Sequence, residues 1–231
     1  MSKIILKFIR LFTGFFVCSL SIAFMINANL GLSPWDVLHQ GISNKIGITI
    51  GSATICVGLI VVVLDVMLGE NVGWGTVLNM MFIGVFLDLI LFSNLVPVAN
   101  SMMMGIIMLC IGMTLMGFGL VLYIGSGLGS GPRDGMMIAF QKRTNKSVKL
   151  IRGVMELGAL IVGYFLGGSI GIGTVITAIG LGYFIQIIFK ICNFKSENVK
   201  HRFIIDDINY IRVRMSKDIV TEVETSVTKD L

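Results

Sequence analysis

Six apolar stretches, each near the length a helix needs to cross a bilayer, recur along the 231 residues. A spanning helix takes roughly 20 apolar residues, because unpaired backbone groups are not tolerated in hydrocarbon. The stretches are 11–28, 48–68, 73–92, 102–124, 153–167 and 170–189. Composition agrees: 55% of residues are hydrophobic and 13% are charged, against about 25% charged in soluble domains. With a mean hydropathy of +0.91 and a pI near 9.1, the chain is excluded as a soluble fold, a disordered regulator or a nucleic-acid-binding module. The expected class is all-α, a polytopic transmembrane helix bundle.

Lys and Arg in short loops set orientation. With the N-terminus inside, the cytoplasmic loops hold Lys3, Lys7, Arg10, Arg133, Lys142, Arg143, Lys146, Lys149 and Arg152. Lys190, Lys195, Lys200 and Arg202 follow the last span, whereas the outside loops hold Lys45 alone. Both termini are therefore expected in the cytoplasm. The first span begins as a signal peptide does, but no small-x-small site follows it, so it is read as a retained span. The segment 193–231 is charge-neutral and is expected to be a partly disordered cytoplasmic tail.

Shifting the chain by 98 residues lays 30–91 onto 128–189 without a gap. Leu30, Gly31, Pro34 and Asp36 meet Leu128, Gly129, Pro132 and Asp134; Gly73, Gly75 and Thr76 meet Gly171, Gly173 and Thr174. Two of the three prolines coincide. Three spans per half put the second half upside down relative to the first. The expectation is thus six spans as two inverted-topology three-helix repeats, 1–98 and 99–192, an arrangement common in secondary transporters.

In each half a turn leads into a Pro–x–Asp element, Ser33-Pro34-Trp35-Asp36 and Gly131-Pro132-Arg133-Asp134. Proline at the first helical position loses nothing by lacking an N–H, and an acid in the first turn suits the helix dipole. Short re-entrant or interfacial helices are expected from these starts to about Asn44 and Thr144. Two readings fit: a capped interfacial helix whose Asp serves only the cap, or a half-helix whose N-terminus faces a solute cavity. On the second reading the binding residues are Pro34, Asp36, Gly129, Gly131, Pro132, Arg133 and Asp134. Arg133 replaces Trp35 at the equivalent position, so the site is asymmetric.

Charges inside spans are costly and are candidates by default. These are Asp65, Asp88 and Glu156, with Asp65 and Asp88 close enough to span ends to reach water. Glu156 stands four residues from Arg152, and Asn79 and Gln186 suit interhelical hydrogen bonds. Lys142, Arg143, Lys146, Lys149 and Arg152 form a basic strip suited to anionic lipid head groups. Cys18, Cys56, Cys110 and Cys192 have no paired spacing, and no metal or cofactor motif appears. His39 and His201 read as solvated loop residues, and the 15 methionines as adaptable packing.

Asn29-Leu30-Gly31-Leu32-Ser33-Pro34-Trp35-Asp36-Val37-Leu38 and Gly127-Leu128-Gly129-Ser130-Gly131-Pro132-Arg133-Asp134-Gly135, with their spacing to Gly73-x-Gly75-Thr76, resemble the YczE-like group (YczE, YyaS, YitT) of bacterial integral membrane proteins. The likeness covers about residues 5–192 and implies a multi-pass plasma-membrane protein, with no particular substrate. The leading functional expectation is a secondary transporter or permeation protein for a small solute, with an anion favoured by Arg133 and the helix N-termini. The alternative is a non-transporting accessory or assembly factor acting through its cytoplasmic loop and tail. An enzyme is not expected, since no nucleophile–base set or metal cluster is present. A homo-oligomer is compatible with the sequence.

Overall fold

A computed structural model describes residues 2–199, 201–208 and 212. They form α1 (Ser2–Asn27), α2 (Pro34–Ile46), α3 (Ile50–Met67), α4 (Trp74–Phe92), α5 (Met102–Ile124), α6 (Pro132–Thr144), α7 (Val148–Phe165) and α8 (Ile172–Ile191). Local chemistry fixes several starts. The side chains of Thr49, Ser101 and Ser147 accept from the N–H groups of Ser52, Met104 and Leu150 at the heads of α3, α5 and α7. α2 and α6 stop where Gly47 and Asn145 turn left-handed, at φ 78° and 53°.

Among the described residues, five helices are long and apolar enough to cross a membrane: α3, α4, α5, α8 and, over Ile4–Asn27, α1. The stretch 153–167 is not a sixth by that measure. It lies in α7, which starts at Val148 and carries Lys149, Arg152 and Glu156 in its first half.

The 98-residue offset recurs in backbone conformation. α2 and α6 share it at both ends, as do α3 and α7. Four pairs of left-handed residues fall at the same offset: Asn29 and Gly127, Gly31 and Gly129, Gly47 and Asn145, Gly69 and Gly167.

α1 lies along α5 and α4, and α8 packs on α5. Lipid tails are as apolar as leucine, so close packing and hydrogen bonds hold such helices together. Leu11, Phe15, Cys18 and Tyr123 form one buried cluster, and Ala23, Met25, Leu87, Leu109 and Met113 belong to another. Ser19 and Ser21 on α1 donate to Ile83 O (2.9 Å) and Gly112 O (2.7 Å), each worth about 0.6 kcal/mol. Outward residues such as Phe92, Met103, Phe165 and Tyr183 leave an apolar exterior.

α2 packs on α7 and α3, and α6 packs on α3 and α7. The two halves then diverge. α3 runs against α4, whereas α7 and α8 form no comparable seam. The end carrying Lys142, Arg143 and Lys146 is called the basic end below, and the other the opposite end.

Candidate functional site

The two proline-led helices begin alike. Ser33 precedes α2 at φ −63°, ψ 155°, and Gly131 precedes α6 at φ −64°, ψ 155°. Each preceding loop is clasped by the last helix of the other half. Gly75 N–H donates to Leu128 O (2.7 Å) at the basic end, and Gly173 N–H donates to Leu30 O (2.6 Å) at the opposite end. These two bonds interchange under the 98-residue offset. Gly31 and Gly129 are required here. Both hold a positive φ, and a Cβ on either would meet Thr174 Oγ1 or Thr76 Oγ1 at 2.7 Å.

Between the clasps, the first turns of α2 and α6 meet. The Arg133 guanidinium lies 4.4 Å over the Trp35 ring, and its Nη2 is 3.4 Å from His39 Nε2. His39 Nδ1 is 3.2 Å from Thr54 Oγ1 and 3.5 Å from Asp36 Oδ1. Ser33 Oγ donates to Asp36 Oδ2 at 2.5 Å. Because Arg133 can only donate, a neutral His39 accepts at Nε2 and carries its proton on Nδ1, toward Asp36 and Thr54. Asp36 is 3% and His39 1% exposed, whereas Arg133 remains exposed.

Among the described residues no carboxylate oxygen comes within 4.0 Å of the Arg133 guanidinium. Its face is taken up by Trp35 and one nitrogen by His39, which leaves N–H groups free along its edge. Such a fork matches carboxylate or phosphate oxygens.

The other candidates divide. Asp134 is partly buried and faces the charges of Arg152 and Arg133, with His201 nearby. Gly129, Gly131 and Pro132 are buried beneath it, and Tyr123 Oη would lie 2.9 Å from a Cβ on Gly131. Pro34 is buried at the head of α2. Asp65 does not reach water as expected. It is 2% exposed, its Oδ1 has no hydrogen-bond partner among the described residues, and its carboxylate packs on the backbone at Gly135.

Asp88 holds the head of α3: Oδ1 accepts Gly51 N–H (2.8 Å) and Oδ2 the Thr49 hydroxyl (2.5 Å). Glu156 accepts from Arg152 Nε at 3.0 Å, so the two neutralise each other. The Asn79 side chain is buried but bonds to no group among the described residues, and Gln186 is exposed, so neither makes the expected interhelical bond. Ser33 occupies the cap position of α2, and its hydroxyl turns to Asp36 and not to a backbone N–H.

His39 is the residue that reading along the sequence misses. A lone histidine in a polar segment looks solvated, yet Asp36 and His39 stand three apart on one face of a proline-started helix, and that spacing is the available signal. His201 is also partly buried. Burial lowers its pKa from the ordinary value, and the negative charge of Asp134 opposes the shift. It opens a segment, 201–208, that docks on the basic end, where Arg202 N–H donates to Gly127 O at 2.9 Å. Of the tail expected to be partly disordered, 200, 209–211 and 213–231 lie outside the described residues. The basic strip is at the same end, with Lys142 paired to Glu70 at 2.8 Å.

Residues 5–190 match the model of DUF6198, a family of unknown function. The uncharacterized membrane protein YczE of Bacillus subtilis (strain 168) is 32% identical over 188 residues, 80% of this chain and 86% of that protein. An uncharacterized protein of Haemophilus influenzae is 32% identical over 167 residues, 72% of this chain and 76% of its own. The uncharacterized protein YyaS of Bacillus subtilis is 29% identical over 198 residues, 84% of this chain and 98% of its own. No solved structure matches. With its apolar helices and these relatives, the chain is an integral membrane protein and belongs to the YczE-like family DUF6198.

Proposed function

We propose that the protein is a bacterial plasma-membrane carrier, not an enzyme, that moves a small anionic solute by rocking two inverted halves against each other. In this reading α7 is the sixth span, both termini are cytoplasmic, and the basic end with its lipid-facing strip is the cytoplasmic end. The observation that carries it is the reciprocal clasp, Leu30 to Gly173 and Leu128 to Gly75, with Arg133, which forms no salt bridge among the described residues, between the two. An inverted pair of clasps supplies one gate on each face of the bilayer, and opening one while the other holds gives alternating access.

The seams support the same reading. Gly51 and Gly84 touch where α3 meets α4, whereas a Cβ on Gly182, the counterpart of Gly84, would find nothing within 4 Å. Equivalent helix pairs thus adopt two arrangements, closed in one half and parted in the other. Arg133 is the solute-binding cation, Trp35 supports its face, and Asp36 with His39 fixes the start of α2.

The test is uptake into proteoliposomes across a panel of small carboxylates and phosphate esters. Arg133→Gln is expected to lower uptake of every accepted anion by roughly tenfold or more, the loss of a charged hydrogen bond. Unchanged uptake in that variant would remove Arg133 from the solute path.

A further inference from the structure

Residues 201–208 return to the bundle and join two loops that belong to different halves. Arg202 N–H donates to Gly127 O at 2.9 Å, and Ile204 N–H donates to Val72 O at 3.0 Å. Between them Phe203 forms an isolated antiparallel bridge with Gly73. Asp207 Oδ2 accepts from Trp74 Nε1 at 3.0 Å, and Asp207 also pairs with Arg202. The Phe203 N–H is held by Asp206 Oδ2 at 3.0 Å, which fixes the segment's own turn.

The joined loops are the two that already form the basic-end clasp. Gly75 N–H meets Leu128 O there, and Thr76 Oγ1 donates to Ser130 O at 2.6 Å. The basic end is therefore tied twice, once by the bundle and once by the tail. At the opposite end the equivalent loops are joined by Gly173 to Leu30 and by a longer bond from Leu32 N–H to Ser169 O, 3.4 Å. Neither bond involves the tail.

We propose that residues 201–208 are a self-docked strap that holds the basic-end clasp shut, an autoinhibitory contact whose release lets this end open. Each backbone hydrogen bond shifts such an equilibrium by about fivefold. Two of them and the Trp74–Asp207 bond favour the closed end by tenfold or more. Release costs little in unpaired groups, because Trp74, Arg202 and Asp206 are already exposed and water replaces their partners. The carrier reading gives the strap its use, as a brake on one gate. The strap itself stands on contacts that exist whether or not a solute moves.

Hydrogen exchange of the full-length protein in detergent micelles reads the two clasps separately. Two variants are compared with the parent: Trp74→Phe, which keeps an aromatic ring and removes the donor, and a chain ending at residue 199. Exchange at the Gly75 amide is expected to rise several-fold in the first and roughly tenfold in the second. The Gly173 amide is expected to stay as protected as before. Unchanged exchange at Gly75 in the shortened chain overturns the strap. Equal loss of protection at both ends overturns it too, since the segment would then support the whole bundle and not one gate. Failed uptake with selective exchange would sink the carrier and leave the strap standing.

Discussion

Arg133 sits 4.4 Å above the ring of Trp35, and these two residues hold the same place in the two sequence blocks 98 residues apart. Residues so related face each other where the two halves meet. Two arginines there would repel, and two tryptophans would carry no charge. A cation on an aromatic face is attractive and leaves the guanidinium edge free.

This contact is worth about 0.5–2 kcal/mol as a cation–π pair. Trp35→Leu and Arg133→Leu should each lower the unfolding midpoint in detergent, and the double variant should fall short of their sum by that coupling. Strict additivity would mean that the two side chains do not interact.

His39 partners two buried groups, Asp36 Oδ1 and the Thr54 hydroxyl, the second of which also donates to Ile50 O. His39→Ala leaves Asp36 Oδ1 and the Thr54 hydroxyl without this partner in a site 1–9% exposed, at a cost of about 1–3 kcal/mol. Thermal unfolding should show a clear drop. An unchanged midpoint would mean that His39 is dispensable to the α2–α3 contact.

Gly31→Ala and Gly129→Ala should be similarly damaging, each by about 1–3 kcal/mol, since both force a side chain into a left-handed backbone and onto a threonine oxygen. Gly153→Ala on α7 is the control. It has nothing within 4 Å of the added carbon and should be neutral or stabilising by up to about 1 kcal/mol. Denaturant titrations of the three variants separate close approach from helix propensity.

Asp88 ties the head of α3 to α4. Asp88→Leu should cost about 1–3 kcal/mol through the lost bonds to Gly51 and Thr49, and faster hydrogen exchange should appear at Gly51 and Ser52. Gln186→Leu, at the equivalent place, should leave exchange at Lys149 and Leu150 unaltered, because α7 and α8 are not joined there.

Hydropathy finds the lipid-crossing lengths but not the helix lengths. α5 matches the apolar stretch 102–124 at both ends, whereas α1 begins at Ser2 and not near 11. Lys3, Lys7 and Arg10 are poor in hydrocarbon but unobjectionable in a helix that extends past it. α7 starts early for the same reason, and its three charges remove it from the apolar set. Proline marks the starts of α2 and α6 directly, since it fits the first helical position and few others. α2 runs two residues past Asn44 because the next residue able to turn left-handed without strain is Gly47.

What joins Ser33, Asp36, His39, Thr54 and Arg133 is not legible in the sequence. Ser33, Asp36 and His39 are neighbours at the start of α2, but their meeting with Thr54 and Arg133 depends on where α2 packs against α3 and on where α6 begins. Nothing in periodicity reports that approach. The docked tail is hidden for a related reason. Its two backbone hydrogen bonds to the bundle ask nothing of the side chains at Arg202 and Ile204.

Sided labelling tests the inverted arrangement most directly. Lys45 lies at the end of α2 and Lys146 just after α6, so each single cysteine reports one end of the bundle. In a background where Cys56, Cys110 and Cys192 are replaced, a membrane-impermeant thiol reagent should label Lys45→Cys in intact cells. Lys146→Cys should react only after the cells are opened. Labelling of both from the same face of the membrane would contradict two halves inserted in opposite directions.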